Sequence, residues 1–378
     1  MKRIFLFSAF LVLLFSSAAQ TDVGYEIKVT FKPFKNQYIY LGHYFGKTYP
    51  IIDSALLNEK SEAIFKGDGN LNGGIYLIGY PKKTGFFEVL VDKQQRFSIT
   101  ADTATIGSSI KFENSSDNVL FNHYQQFMTG KGKEINKLKD SYKTSTSKKD
   151  SAAIREKLIK LDEDIAAFRN DIIKNYPGNI LTALLMTMKE PALTGRLKNP
   201  KTKEDSLASW QYYKDHFWDD VSFYDGRIAY TTFFEEKLDK YFNQVVVPHP
   251  DSVIKELDWM LGTATINLEM TRFLLIKFVN RYLNQKYMWE DAVFLYLFEK
   301  YFAQKEHSWL TAAGKKVITD RAYSLMANIM GTPASDIELP DSTGAMKSMF
   351  AEKGNFTMVI FWDPTCGHCK EVLPQIDS

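Results

Sequence analysis

The sequence predicts a multidomain α+β protein: an N-terminal β-sandwich-like domain, a central all-α domain and the start of a C-terminal α/β domain. Three observations carry that reading. From about Asp22 to Glu113, short aromatic and β-branched runs alternate with turn residues. From Ser116 the apolar residues recur at three- and four-residue intervals. After Gly331 a Pro-, Gly- and Asp-punctuated segment leads to one continuous apolar run, FTMVIFW, and then to a helix start.

The first stretch, MKRIFLFSAFLVLLFSSAAQ, has a basic start (Lys2, Arg3), an apolar centre from Ile4 to Phe15 and small residues at Ser17–Ala19. That is the pattern of a secretory signal peptide, assigned to residues 1–19. It is too short for a confident membrane span, and no cysteine follows it to take a lipid. An exported chain with no stable membrane anchor is expected. A net charge of +2 in 378 residues argues against nucleic acid as the main partner.

Residues 20–115 form the β-rich domain. YEIKVTF, QYIYLGHY, EAIFKG, GIYLIGY, FFEVLV and RFSITA read as strands, and KPFKN, GDGNLNGG, PKKTG and VDKQQ as turns. Such spacing suggests a small sandwich or open barrel. The stretch DGNLNG at 68–73 opens like a calcium-binding loop. Its twelfth position, however, is Gly79 where a bidentate Glu is needed, so a polar inter-strand turn is the better reading.

Residues 116–330 form the helical domain. Ile154, Leu158, Leu161, Ile165, Phe168 and Ile172 make one apolar stripe, stopped by Pro177–Gly178. Further helices are expected near 179–189, 203–218, 228–243, 251–263, 265–283, 288–304 and 310–329. The aromatic-rich strings WQYY, HFWDD, TTFFEEK and FLYLFEKYF are expected to face inward. The lysine-rich KGKEINKLKDSYKTSTSKKD reads as solvated surface or a loose connection. The carboxylate pairs Asp219–Asp220 and Glu235–Glu236 read as solvated faces or caps, since adjacent helical residues point apart.

Residues 331–378 hold the chemistry. DIEL is a short strand, FTMVIFW a buried central strand, and CGHCKEVLPQI the start of a helix. Cys366 and Cys369 are the only cysteines. A disulfide between residues three apart closes a tiny loop and stabilises little, so a structural role is a poor explanation in an exported protein. A C-x-x-C at a helix start instead suits dithiol redox chemistry. Backbone N–H groups and the helix dipole favour negative charge at Cys366, the expected nucleophile, and Cys369 is placed to resolve the mixed disulfide. His368 either tunes the thiolate or is a helix-surface residue. A zinc site would need four ligands. The remaining histidines (His43, His123, His216, His249, His307) lack ligand spacing, so no metal is expected. No other cofactor is implied, since the cysteines carry the electrons.

These residues resemble the TlpA/ResA-like thiol-disulfide oxidoreductases of the thioredoxin superfamily. The resemblance covers residues 331–378. It runs through Gly331, Pro333, Ala334 and Asp336, then Leu339 to Gly344, then Phe361–Trp362, C-G-H-C and Pro374. It implies a thioredoxin-like fold, with Trp362, Pro364 and Pro374 supporting the dithiol. It also implies a periplasmic location, disulfide-containing exported proteins as partners, and a membrane electron donor for regeneration. Upstream, IIDSALL, FENSSDNVLF, YYKDHFWDDVSFYDGRIAYTTFFEEKLDKYF, HPDSVIKEL and EDAVFLYLFEKYF are similar to β-rich and helical domains of unknown function that precede thioredoxin domains in exported proteins of Gram-negative bacteria.

Two departures qualify the resemblance. Many relatives carry Glu three residues after the second cysteine; here Val372 holds that position and Glu371 sits one residue early, about 100° around the helix. The further strands and cis-proline loop of a thioredoxin fold are not in this sequence, which reads as truncated at its C-terminus, so impaired turnover is expected of the chain as given. The alternative is a non-catalytic protein whose sandwich and helical domains bind a client protein or a surface glycan.

Overall fold

The computed structural model describes residues 24–106, 110–145, 147–326 and 329–376. The predicted signal peptide lies outside them. The described chain is a multidomain α+β protein, and it divides into two compact units, one ending at Phe278 and one starting at Val279.

Alternation in the first strands dictates a two-sheet sandwich. One sheet has the order β4-β1-β7-β8, the other β3-β2-β5-β6. The strands are β1 (Tyr25–Lys32), β2 (Tyr38–His43), β3 (Ile51–Leu56), β4 (Glu62–Gly67), β5 (Gly74–Gly79), β6 (Phe86–Val91), β7 (Arg96–Asp102) and β8 (Lys111–Glu113). Ile27, Val29 and Phe31 of β1 face inward, beside Phe97, Ile99 and Ala101 of the parallel neighbour β7. They meet Ile39, Leu41, Tyr76, Ile78, Phe87 and Val89 from the other sheet. Phe31 sits at the centre, edge-on to Phe34, Tyr80 and Phe87 at 5.1, 5.0 and 5.5 Å. Each such side chain contributes about 1.5–3 kcal/mol through burial.

Two strands were not evident in the sequence. In β3, Ile51, Ile52 and Leu56 are exposed and Ala55 is buried, so no inward alternation marks it. The other, β8, is three residues long. The DGNLNG stretch is a polar turn between β4 and β5: Asn70 Oδ1 accepts the Gly24 N–H at 2.8 Å, and Gln95 Oε1 accepts that of Leu71 at 2.7 Å.

In β5 the alternation is lost because both faces are covered. Ile75 and Leu77 are as buried as Tyr76 and Ile78. The cover on the second face is helical. Tyr230 lies against Gly74, where an added Cβ would come within 2.3 Å of its Cβ.

The helical region opens with two long helices, α1 (Ser116–Thr144) and α2 (Lys148–Asn175). They run antiparallel, with Phe127 on Phe168 at 4.0 Å and Lys131 bonded to Asp164 at 3.0 Å. The lysine-rich stretch is the end of α1, the connection to α2 and the first turn of α2, and its lysines other than Lys131 are exposed, as a solvated surface requires. Ser115 caps α1, accepting the Asn118 N–H at 3.4 Å. Asn118 itself is fully buried against edge strand β6. Its Oδ1 accepts the Leu90 N–H and its Nδ2 donates to the Leu90 carbonyl, both at 2.7 Å. One carboxamide thus does what a further strand would do for that residue.

Next come α3 (Ile180–Thr187), α4 (Gly195–Lys198), α5 (Lys203–Asp215), α6 (Thr232–Lys240), α7 (Pro250–Ala264) and α8 (Leu268–Leu283). The helix expected at 228–243 begins as a 3-10 turn, Gly226–Tyr230. Thr231 then breaks it with an extended backbone, φ −146° and ψ 162°, before α6 starts. A π-turn, Tyr241–Val245, prolongs α6. Three of the aromatic strings, HFWDD, TTFFEEK and FLYLFEKYF, send buried rings inward, and Phe217, Trp218, Phe223, Phe234 and Tyr241 form one buried cluster with ring separations of 4.9–6.3 Å. WQYY does not: α5 buries none of its residues, with Tyr212 exposed and Trp210 and Tyr213 half-buried.

Sandwich and helices are joined by polar clamps. Arg227 reaches Asp92, in the β6–β7 turn, and Asp225, each at 2.7 Å. Tyr230 Oη donates to Glu269 at 2.6 Å and accepts from Asn72 at 2.6 Å. The β2–β3 loop inserts Phe45 beside Phe273, with ring centroids 5.1 Å apart. Lys47 donates its N–H to Glu235 at 2.6 Å, and Lys277 bonds Glu235 at 2.5 Å and Asp239 at 3.0 Å. Glu235 is thus a half-buried structural anchor, not one of two solvated carboxylates. Gly46 holds this loop at φ +58°, and an added Cβ would lie 1.9 Å from Glu235 Oε2.

The second unit contains α9 (Glu290–Leu297), prolonged by a π-turn at Phe298–Phe302, and α10 (Ala312–Met326). Asp291 and Arg321 pair these helices at 3.1 Å. A hairpin of β9 (Glu338–Pro340) and β10 (Met346–Ser348) follows, then α11 (Gly367–Ile376). The expectation for FTMVIFW fails: these residues form no ladder and are exposed, Phe356 at 98% and Phe361 at 80%. A central strand needs partners on both edges and cover on both faces, and the described residues supply neither to this run.

Candidate functional site

The C-G-H-C stretch is set by a turn that ends as a helix begins. Asp363 Oδ1 accepts both the N–H and the hydroxyl of Thr365, each at 2.7 Å. Pro364 restricts φ within the turn, and the Cys366 N–H closes it on the Asp363 carbonyl at 3.1 Å. The bonds from Thr365 hold the Asp363 carboxyl below its ordinary range. Helix α11 starts at the next residue, and the Cys366 carbonyl accepts from Lys370 N–H at 3.3 Å.

Cys366 therefore stands where a capping Ser or Thr would stand. Its Sγ accepts the Cys369 N–H at 3.4 Å. The Cys366 thiol is pushed down, first by its hydrogen bond with the Cys369 thiol, then by the backbone N–H groups of Cys369 and His368; slight burial opposes this. Both cysteines are half-buried free thiols. The pair can present a nucleophilic thiolate with a second thiol one turn along the same helix.

The structure brings Cys366, Cys369 and His368 together at the start of α11. His368 is exposed, and its backbone N–H is the part that acts on Cys366. Trp362 is exposed in the segment before the turn. Pro374 lies inside α11, where it has no N–H to give the Lys370 carbonyl. Gln375 Nε2 bonds the Glu371 carbonyl at 3.1 Å. Glu371 is exposed and makes no hydrogen bond to Cys369 among the described residues. Sequence reasoning missed Asp363 and Thr365, although D-P-T before a helix is a readable turn signal.

Among the described residues no group of three His, Cys, Asp or Glu is arranged to hold a metal. The histidines elsewhere have local partners. His43 Nδ1 pairs with the Tyr44 carbonyl at 2.8 Å, His216 with Asp219 at 2.6 Å and His307 with the Tyr301 carbonyl at 2.8 Å. No helix among the described residues is long and apolar enough to cross a membrane.

A family model described as a domain of unknown function (DUF5106) matches residues 189–328, the helices between Lys189 and the start of the last segment. No curated protein and no solved structure matches the chain. The dithiol lies outside the matched residues.

Proposed function

We propose that Cys366 and Cys369 form a redox-active dithiol that exchanges disulfides with exported proteins. The observation that carries this reading is the position of Cys366: it caps a helix, takes an N–H bond on its sulfur and has a lowered thiol pKa beside a second free thiol. The Cys366 thiolate attacks one sulfur of a substrate disulfide, forming a mixed disulfide and releasing the other substrate sulfur as a thiolate, which takes up a proton. Cys369, deprotonated, then attacks Cys366 Sγ. That step closes the Cys366–Cys369 disulfide and releases the second substrate thiol. Two electrons pass from the dithiol to the substrate, and a dithiol donor at the membrane returns them. A thioredoxin-like domain in the periplasm is the setting that the sequence resemblance supports.

The test is substrate trapping. A Cys369→Ser variant should accumulate mixed disulfides with exported proteins, reversible by reductant, and Cys366→Ser should trap none. Equal trapping by both variants, or trapping by neither, defeats the reading.

A further inference from the structure

A cleft of about 470 Å³ lies between α5 and α7, within the residues that the family of unknown function covers. Its floor is a fixed polar triad. Glu256 accepts from Lys214 at 2.9 Å through one carboxylate oxygen and from the Tyr241 hydroxyl at 2.9 Å through the other. Lys214 is also held over the Trp210 ring, at 5.7 Å. Beside this floor Trp259 is 46% exposed, its ring braced edge-on by the buried Phe223 at 5.3 Å. An indole that lines the cleft, nearly half exposed and packed on a buried ring, is a ready surface for a flat apolar face.

The rim supplies both kinds of hydrogen-bonding group. Asp215 uses one oxygen on Gln211 at 2.7 Å and keeps the other. Asp219 likewise uses one on His216 at 2.6 Å. An ammonium has three N–H donors, and Glu256 takes one from Lys214. Three carboxylates (Asp215, Asp219, Glu256) face two ammonium groups (Lys214, Lys255), a balance that disfavours a phosphate or carboxylate ligand.

We infer that this cleft binds a neutral saccharide, one pyranose ring stacked on Trp259 and its hydroxyls bonded to the Asp215, Asp219 and Lys214 rim. A sugar ring offers an apolar C–H face edged by groups that both donate and accept, which is the complement of this surface. The volume suits about two rings. The inference is independent of the dithiol reading.

The experiment titrates the full chain with maltohexaose, cellohexaose, xylohexaose, mannohexaose and chitohexaose, following tryptophan fluorescence and calorimetric heat. At least one sugar should bind at micromolar to millimolar concentration. Trp259→Ala should weaken that binding roughly tenfold or more, Trp259→Phe less, and Asp215→Ala several-fold. The double variant Cys366→Ser/Cys369→Ser should bind undiminished, which separates this site from the dithiol. Thermal melts confirm that each variant is folded. Binding of none of the five sugars overturns the proposal. So does binding that Trp259→Ala leaves unchanged, or Trp259-dependent binding of decaproline in place of the sugars.

Discussion

The junction between sandwich and helices and the dithiol segment sit at opposite ends of a scale of burial. At the junction, buried and half-buried polar groups each find partners: Asn118 with Leu90, Arg227 with Asp92 and Asp225, Glu235 with Lys47 and Lys277. Around the cysteines nearly every side chain is exposed, and the geometry depends on a single turn closed by Asp363. The difference teaches where each kind of residue exerts its effect. Buried partners set how firmly the first unit folds, whereas the exposed turn sets how reactive one sulfur is.

Four measurements would break or sharpen that contrast. The largest effect is expected from Asn118→Ala, which strands a buried donor and a buried acceptor of β6; a loss of about 3 kcal/mol in denaturant unfolding follows. Gly46→Ala should cost about 2 kcal/mol, since it places a Cβ at positive φ and displaces Glu235. A third test uses acid. Burial pushes the Asp239 carboxyl up, but hydrogen bonds from Lys47 and Lys277 more than offset it and leave it below the ordinary carboxylate range. A lowered folded-state pKa means that this stabilisation is present above the unfolded value and is lost as pH falls through the folded one. The first unit should therefore weaken below about pH 4, and Asp239→Asn should flatten that part of the stability–pH curve. The smallest effect on stability belongs to Asp363→Ala, which should leave the melting temperature unchanged. It should still slow alkylation of Cys366 by iodoacetamide several-fold at neutral pH, while in the parent chain Cys366 is alkylated before Cys369. A large melting shift in Asp363→Ala, or none in Asn118→Ala, would undo the comparison.

What the sequence revealed follows the range of the forces involved. Strands such as YEIKVTF and RFSITA were legible because alternation and turn residues are local signals. The edge strand β3 was not, because its Ile51, Ile52 and Leu56 face solvent and Asp53 interrupts them. FTMVIFW shows the converse: an apolar run states what a segment needs, not whether neighbours are there to supply it. The dithiol was legible from spacing alone, and its supporting turn could have been. The junction could not. Arg227 and Asp92 lie 135 residues apart, and Lys47 and Asp239 lie 192 apart, so no window of sequence contains both partners. Trp259 was similarly hidden, since its exposure depends on what α5 leaves uncovered.

The β2–β3 loop has a consequence for how the first unit comes apart. Because Phe45, Gly46 and Lys47 are lodged among Tyr230, Glu235, Asp239 and Phe273, the sheets cannot melt without releasing those helices, and the helices cannot loosen without freeing the loop. Separate folding units in sequence are thereby tied into one cooperative transition. A protease would find the seam near residue 115 no easier to open than the core on either side, and the isolated sandwich would be less stable than the same strands in the intact chain.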